Sequence, residues 1–515
     1  MAEDKVVSAR AKIKSIERLG ELAAEIKANG GTVVMAHGVF DLLHMGHVRH
    51  LEEARSYGTA LFVTVTPDHF VNKGPGRPVF PEAVRAEMLA ALDCVAYTGI
   101  NFAPSSEEAI ETIKPDIYVK GQEYAEAQND VTGKIDTEKA AVERNGGCAI
   151  FTNDVIFSSS ELINRHLNPF DPEVSSFLRQ FQNNQARDSI FELLGKASGL
   201  KVLVIGDAIL DEYCYVTPMS KPPKENLIAT KYEEHELFAG GIFATANHAA
   251  SICSHVDIIT AIGRDDPYTD LIRKSLKPNV RLHAFEIDGI PTTLKRRYVD
   301  INYLRKLFEV YHFDDSPIPR HIEEELNQLI RKTAADYDLI IVNDFGHGLL
   351  QNSTIKILCE HAPYLAVNTQ TNSANFGYNL ITRYPRVDYV CIDGSEARLA
   401  AGDKFSPMES VIRDKLADKI DCPLFVVTQG RHGSIAVEPK GPTCDVPAFA
   451  DKVIDTVGAV DAFLAITAPL AALGGDLRHI AFMGNVAGAL KVGIVGHRKS
   501  IDKPSLVKAV TALLK

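Results

Sequence analysis

Positive charge is in short supply in this chain: 55 lysines and arginines stand against 67 aspartates and glutamates, a formal net charge of −12. Binders of nucleic acid or anionic membrane commonly carry a basic patch or stripe, so this balance argues against either as a partner. Phosphate ligands would instead be met by local cations and helix N-termini. Long apolar runs are also missing. No stretch of about 18 uncharged apolar residues occurs, which speaks against a membrane span, and the opening "MAEDKVVSARAKIKSIERLGELAAEIKANGG" is charged throughout, without the apolar centre of an export signal. The eight cysteines (94, 148, 214, 253, 359, 391, 422 and 444) form no CxxC pair, so neither a zinc site nor a disulfide framework is suggested, and reduced thiols in a cytoplasmic protein are expected. There is no internal repeat and no low-complexity tract.

What is present is mass for two cores. A length of 515 residues exceeds one ordinary domain, and 45% hydrophobic with 24% charged residues is the composition of a folded globular protein. Apolar side chains at Ile13, Ile16, Leu19, Leu22, Ala23 and Ile26 predict a leading amphipathic helix that ends at Gly30 and Gly31. Short apolar runs then alternate with helical patterns: "TVVMAHG", "HVRHLEEARSYG", "ALFVTVT", "PEAVRAEMLAAL", "CVAYTG", "SSEEAIETI", "DIYVKG". That alternation predicts βαβ units and a parallel sheet. Residues 167–198 turn polar and helical without a strand signal and are read as a linker. A second α/β region opens at "LKVLVIGDAILDEY", with a small β-rich subregion expected between about 214 and 312. The expected organisation is an N-terminal helix (1–30), a Rossmann-like domain (31–166), the linker (167–198) and a larger α/β domain (199–515) with a small β lid.

Two stretches concentrate chemistry. In "HGVFDLLHMGHVRHL", four histidines (37, 44, 47 and 50) surround two glycines and an aspartate, directly after the apolar run "TVVMA". A buried strand that feeds a helix through such a turn points unpaired N–H groups at an anion, and open α/β sheets bind ligands at the carboxyl ends of their strands. His44 and His47 flank Gly46 at the helix start, where two imidazoles can face a phosphate that the glycine lets approach closely. Histidines three apart can also ligate a metal, but no third ligand is apparent nearby; ordinary surface histidines are the remaining alternative.

The segment "GVFDLLHMGHVRHLEEAR" resembles the signature of the HxGH nucleotidyltransferases, the cytidylyltransferase and adenylyltransferase superfamily. The likeness continues through "KGPGRPVFPEAVRAEMLAALDCV", "DIYVKGQEY" and "SSSELI", in order, over about residues 31–166. It is nearest to the transferase half of the bifunctional heptose-phosphate kinase/nucleotidyltransferases. This resemblance implies that His44, His47 and Lys73 are catalytic: the histidines would hold the nucleotide phosphates and stabilise the transition state, and Lys73 and Arg85 would meet phosphate groups. Gly38, Phe40, Asp41, Gly46, Arg85, Lys120, Gly121, Ser158, Ser159 and Ser160 would line the nucleotide, with Asp41 organising the loop. Nucleotidyl transfer requires in-line attack of a sugar-phosphate oxygen on the α-phosphorus with pyrophosphate leaving; positioning and charge stabilisation suffice, without a protein nucleophile. Mg²⁺ on the triphosphate is expected, the nucleotide being ATP or CTP.

"IDTVGAVDAF", residues 454–463, is a second glycine turn that feeds a helix. It resembles the "DTxGAGD" motif of the ribokinase-like (PfkB) sugar kinases, and the likeness runs over roughly 199–515. The resemblance implies that Asp461 takes the proton from the acceptor hydroxyl. Gly458, Ala459 and Val460 would then supply the N–H groups of an anion hole for the γ-phosphate of ATP. It also implies Asp207 and Asp211 as ligands of sugar hydroxyls, Gly240 and Gly241 as the sugar-side double glycine, and Thr428, Gly430 and Gly433 as the nucleotide-side loop. Three positions depart from the family pattern: Val460 replaces a glycine, Ala244 an asparagine and His347 a lysine. Asp461 also has a plainer reading, as a helix cap.

Together the halves resemble the bifunctional heptose enzymes with the domain order reversed. The implied function is a sugar-phosphate kinase and nucleotidyltransferase that makes a nucleotide-activated, heptose-type sugar. The alternative is a monofunctional cytidylyl- or adenylyltransferase for another sugar or polyol phosphate, joined to an impaired kinase-like domain. Nucleoside triphosphates and sugar phosphate are the expected partners, with no nucleic acid and no membrane, in a homodimeric cytoplasmic enzyme.

Overall fold

The computed structural model describes residues 8–71, 73, 77–122, 135–152, 170–181, 184–220, 224–450 and 452–514. The chain forms two compact units, one of residues 1–171 with 507–515 and one of residues 172–506.

In the first unit five strands, β1 (Val33–Gly38), β2 (Ala60–Val65), β3 (Tyr97–Ile100), β4 (Ile117–Gly121) and β5 (Cys148–Thr152), pair in the order β3-β2-β1-β4-β5. Every pairing is parallel. Helices α1 (Ile16–Ala28), α2 (Met45–Ser56), α3 (Glu82–Ala90), α4 (Glu107–Ile113) and α5 (Ile135–Arg144) accompany it. The expected leading helix is α1, started by Ser15, whose side chain accepts from the Arg18 N–H. Its Leu19, Leu22 and Ala23 join Val33, Met35, Phe62 and Tyr118 in one core cluster; Val34, Ala36, Leu51, Val63 and Val119 belong to another. Alternate residues of β1 therefore feed two cores, as a sheet covered on both faces demands. The strand order reverses between β1 and β4, and the register that sets Ala36 against Val119 brings His37 and Lys120 to the same carboxyl edge.

In the second unit β6 (Lys201–Gly206), β9 (His255–Gly263), β10 (Val280–Ile287), β13 (Leu339–Asp344), β14 (Leu365–Thr369), β15 (Tyr389–Asp393), β16 (Phe425–Thr428), β17 (Ser434–Val437) and β18 (Thr443–Val446) form one sheet, and β7 (Ala208–Pro218), β8 (Thr230–Gly241), β11 (Thr293–Asp300) and β12 (Arg305–His312) another. The large sheet runs β10-β9-β6-β13-β14-β15-β16-β17-β18 and is parallel up to β16; the small one runs β12-β11-β7-β8. The β-rich subregion expected at 214–312 is thus interrupted: β9 and β10, inside that span, belong to the large sheet. Buried Ile258 and Ile259, neighbours on opposite faces, suit a strand covered on both sides, a pattern that neighbouring turns hide in the sequence.

The segment read as a linker is folded over much of its length. Helices Pro172–Phe181 and Asn184–Ala197 bury Val174, Leu178, Phe181, Ile190, Leu194 and Ala197, and Phe181 stacks on Phe482 at 4.6 Å. A polar composition concealed an apolar stripe at helical spacing. Among the described residues no helix is long and apolar enough to cross a membrane.

Candidate functional site

The first candidate site lies where β1 ends. Phe40 takes a positive φ of 49° in the turn that follows, and α2 begins with His44 as its N-cap. The Gly46 N–H donates to His44 Nδ1 at 3.1 Å, so the ring proton of neutral His44 is on Nε2, where it can be donated to a ligand. His47 stacks on His44 with ring centroids 4.0 Å apart and meets Phe40 edge-on at 5.3 Å. Burial drives the His47 pKa down to about 3, helped by the charges of His44, Lys73 and His50. Burial and Lys73 also lower that of His44. Both rings are therefore neutral hydrogen-bonding groups near pH 7, and Lys73 supplies the local positive charge. The other two histidines are tied elsewhere: His37 Nδ1 to Thr64 Oγ1 at 2.9 Å, and His50 Nδ1 to Thr152 Oγ1 at 2.8 Å.

Asp41 is buried below this turn. Its Oδ1 accepts from the N–H groups of Val79 (2.7 Å) and Phe80 (3.2 Å), and Arg77 lies 3.5 Å from its Oδ2. Arg85, expected to meet phosphate, faces inward. It is completely buried, and its guanidinium donates to Phe80 O at 2.9 Å, Thr66 O at 2.8 Å, Asp68 Oδ1 at 2.6 Å and Val39 O. An inward-facing arginine that satisfies four oxygens braces the turn. Lys120, beside Gly121 at the end of β4, ion-pairs with Glu138 at 3.0 Å. Glu138 also accepts from Ser106 Oγ at 2.6 Å and Tyr118 Oη at 3.2 Å. Sequence reading missed Glu138; a lone acid on the apolar face of α5 was its only signal. Ser158, Ser159 and Ser160 lie outside the described residues.

The second candidate site gathers at the carboxyl ends of β6, β13 and β14. Gly458 caps the helix Ala459–Ala472 in the left-handed region, φ 75°. A Cβ there would stand 2.6 Å from His497 Cε1, so only glycine fits. Val460 lies in the helix's first turn and is partly exposed rather than packed inward. Asp461 is buried, and its Oδ1 accepts from Asn343 Nδ2 (3.1 Å) and Gln370 Nε2 (2.9 Å). Burial raises its pKa to about 6, a rise moderated by His497, which puts it in the range of a general base. Asp455 Oδ2 accepts from Tyr213 Oη at 2.6 Å and the Gly496 N–H at 2.8 Å, while its Oδ1 takes Lys306 Nζ at 2.8 Å.

The two aspartates expected on the sugar side both have protein partners. Asp207 accepts from the N–H groups of Phe345 (2.9 Å), His347 (3.3 Å) and Leu349 (3.3 Å), so it clasps the 345–349 turn. Asp211 pairs with Arg297 and with His497 Nε2 at 3.1 Å, which hold its pKa well below the usual carboxylate range despite burial. The Gly240 Cα touches that carboxylate so closely that a Cβ would lie 1.9 Å from Oδ2; Gly241 caps the helix Ile242–Ala249, which carries the buried Ala244. Thr428 ends β16, and Gly430 and Gly433 bracket the turn into β17. Lys295 and Arg297 project from one face of β11; the period-2 basic pattern of "LKRR" was their available but unused signal. His347 is buried with neither ring nitrogen hydrogen-bonded, and burial lowers its pKa to about 3.

Comparison with known proteins assigns a different family match to each of the two α/β regions. Residues 35–177 match the cytidylyltransferase-like family. A bifunctional protein HldE of Geobacter metallireducens is 44% identical over 116 residues, 22% of this chain and 24% of that protein. One of Pseudomonas aeruginosa is 26% identical over 313 residues, 60% of this chain and 63% of that protein. The chain thus spans about a quarter of the first relative and under two thirds of the second. The tetrameric inhibited form of phosphofructokinase-2 from Escherichia coli superposes with a TM-score of 0.50 at 12% identity, over 61% of this chain and 100% of that one, a likeness of fold. Because the match to the pfkB carbohydrate kinases runs from residue 200 to 504, more than half of the sequence, the chain belongs to the pfkB carbohydrate kinase family.

Proposed function

We propose that the chain is a bifunctional enzyme that phosphorylates a heptose-type sugar phosphate and joins a nucleotide to the resulting sugar phosphate. The transferase would occupy about residues 31–166 and the kinase about 199–515. The observation that carries the reading is the His44–His47 stack at the start of α2, with His44 Nδ1 capped by the Gly46 N–H. A phosphate entering there meets the Nε2–H of His44, the helix N-terminus and the Lys73 charge. An oxygen of the sugar phosphate attacks the α-phosphorus of ATP or CTP, the bond to the bridging oxygen breaks, and pyrophosphate leaves. The imidazole and helix donors stabilise the charge that accumulates on the oxygens.

In the second unit, the hydroxyl of the sugar attacks the γ-phosphorus, its proton passes to Asp461, and ADP leaves. The N–H groups of the 458–460 turn face the transferring group. A base with a pKa raised to about 6 holds little proton at pH 7.5 yet accepts one readily. Mg²⁺ belongs to this reading as a companion of the triphosphate. Among the described residues no three His, Cys, Asp or Glu side chains cluster as a metal cage, which suits an ion held mainly by phosphate oxygens and water. A homodimer in the cytoplasm is part of the same proposal, and the eight free cysteines agree with a reducing compartment.

The test is pyrophosphate release from a panel of nucleoside triphosphates and sugar 1-phosphates, with the nucleotide-sugar identified by mass. His44→Ala should lower kcat/KM by about 10²- to 10³-fold without unfolding the protein. Undiminished release by the His44→Ala/His47→Ala double variant would refute the transferase assignment.

A further inference from the structure

Lys491 ends the helix Leu477–Lys491, and its side chain is among the largest that are fully buried. Its ammonium does not serve its own helix. Nζ donates to Val457 O at 2.7 Å and to Gly496 O at 2.8 Å, carbonyls from two separate turns. Val457 precedes Gly458, and a Cβ on Gly458 would lie 3.2 Å from Lys491 Cε, so the lysine stem passes directly against the glycine turn that leads to Asp461. Gly496 precedes His497, the partner of Asp211 at 3.1 Å. The same two turns are joined a second time through Asp455, whose carboxylate accepts from the N–H groups of Val457 (3.1 Å) and Gly496 (2.8 Å). The charges that act on Lys491 are the carboxylates of Asp455, Asp461 and Asp211, with the Lys306 ammonium opposed.

A buried ammonium is costly unless it is paired and hydrogen-bonded, and a helix end needs none here. We infer that Lys491 is a positioning residue that acts as a resident monovalent cation. It clamps the 455–458 turn to the 494–497 turn, aligns the N–H groups before Asp461 toward the phosphoryl group, and places fixed positive charge behind them. Phosphoryl transfer by this chain therefore needs no dissociable monovalent cation. The inference rests on the kinase activity proposed above.

The experiment uses the full chain, wild type, Lys491→Ala and Lys491→Met, and measures ADP formation in choline, sodium, potassium and ammonium chloride at equal ionic strength. The wild-type rate should vary less than about twofold among the four salts, whereas Lys491→Ala should lose about 100-fold in kcat with little change in acceptor KM. Alanine leaves a seat lined by two carbonyls, so ammonium or potassium should restore about tenfold or more of the lost rate. Methionine fills that seat without charge, and Lys491→Met should show the loss without rescue. A merely structural lysine would give no cation-specific recovery.

A wild-type rate that depends strongly on potassium or ammonium would overturn the inference even if neither variant folds. So would full activity, or loss without rescue, in folded Lys491→Ala. If wild type forms no ADP with any acceptor, the kinase reading falls separately. Calorimetric binding of the β,γ-imido analogue of ATP then decides for Lys491: about tenfold weaker binding by Lys491→Ala, recovered in ammonium, supports the clamp, and equal affinity refutes it.

Discussion

Buried titrating groups in the two units respond to pH in opposite senses. His47 has its pKa lowered to about 3, first by burial and then by neighbouring positive groups. Above pH 6.5 neither the folded nor the unfolded chain protonates it. As pH falls from 6.5 toward 3 the unfolded chain gains a proton that the native one refuses, so native stability is lost on acidification, on the order of 3 kcal/mol by pH 4. Urea denaturation at pH 7 and pH 4.5 checks this: the gap between the two midpoints should narrow in His47→Gln. Asp461 runs the other way. Its pKa, raised to about 6 by burial, makes its contribution complete below pH 3.8 and lost as pH rises through 6. Asp461→Asn should therefore abolish ADP formation and yet stabilise the second unit by on the order of 2 kcal/mol at pH 8, a gain that vanishes near pH 3.5. Thermal melts at both pH values, beside the ADP assay, measure it. Equal turnover in Asp461→Asn and wild type would refute its role as the base.

Between elements, the loops at the carboxyl edges are held by buried charges. Arg85 connects α3 to Val39 in the turn after β1 and to Thr66 and Asp68 after β2. If it bound phosphate, Arg85→Ala would weaken substrate binding in a stable protein. The geometry predicts instead that Arg85→Ala destabilises the first unit by at least about 3 kcal/mol, since several hydrogen bonds to a charged group are lost at once. A thermal melt separates the two, and an unchanged melting temperature would restore the ligand role. The sequence motif marks Arg85 as important in either case; only its inward direction distinguishes a brace from a ligand. Asp207, between β6 and β7, and Asp211, within β7, teach the same lesson, because such aspartates read alike whether they face a sugar, three backbone N–H groups or an arginine.

For the whole chain, two self-contained sets of site residues predict separable activities. His44→Ala should suppress pyrophosphate release and leave ADP formation within about twofold of wild type, and Asp461→Asn should do the reverse. Both assays on each full-length variant test this; joint loss of both activities from either single change would mean that the units do not work independently.

The sequence alone determined that there are two α/β units, where the glycine turns lie, and which histidines and aspartates to propose for the chemistry. Those features are local: strand and helix periods repeat within ten residues, and a strand–turn–helix anion site is written in one continuous segment. Tertiary structure alone decided which buried charge meets which protein partner. Glu138 reaches Lys120, Arg297 reaches Asp211, and Lys491 reaches Val457 and Gly496, and these partnerships arise only when strands distant in sequence lie in register and helices close over them. A buried charge is tolerated only with a partner, and sequence spacing does not identify a partner that folding brings from a distant segment.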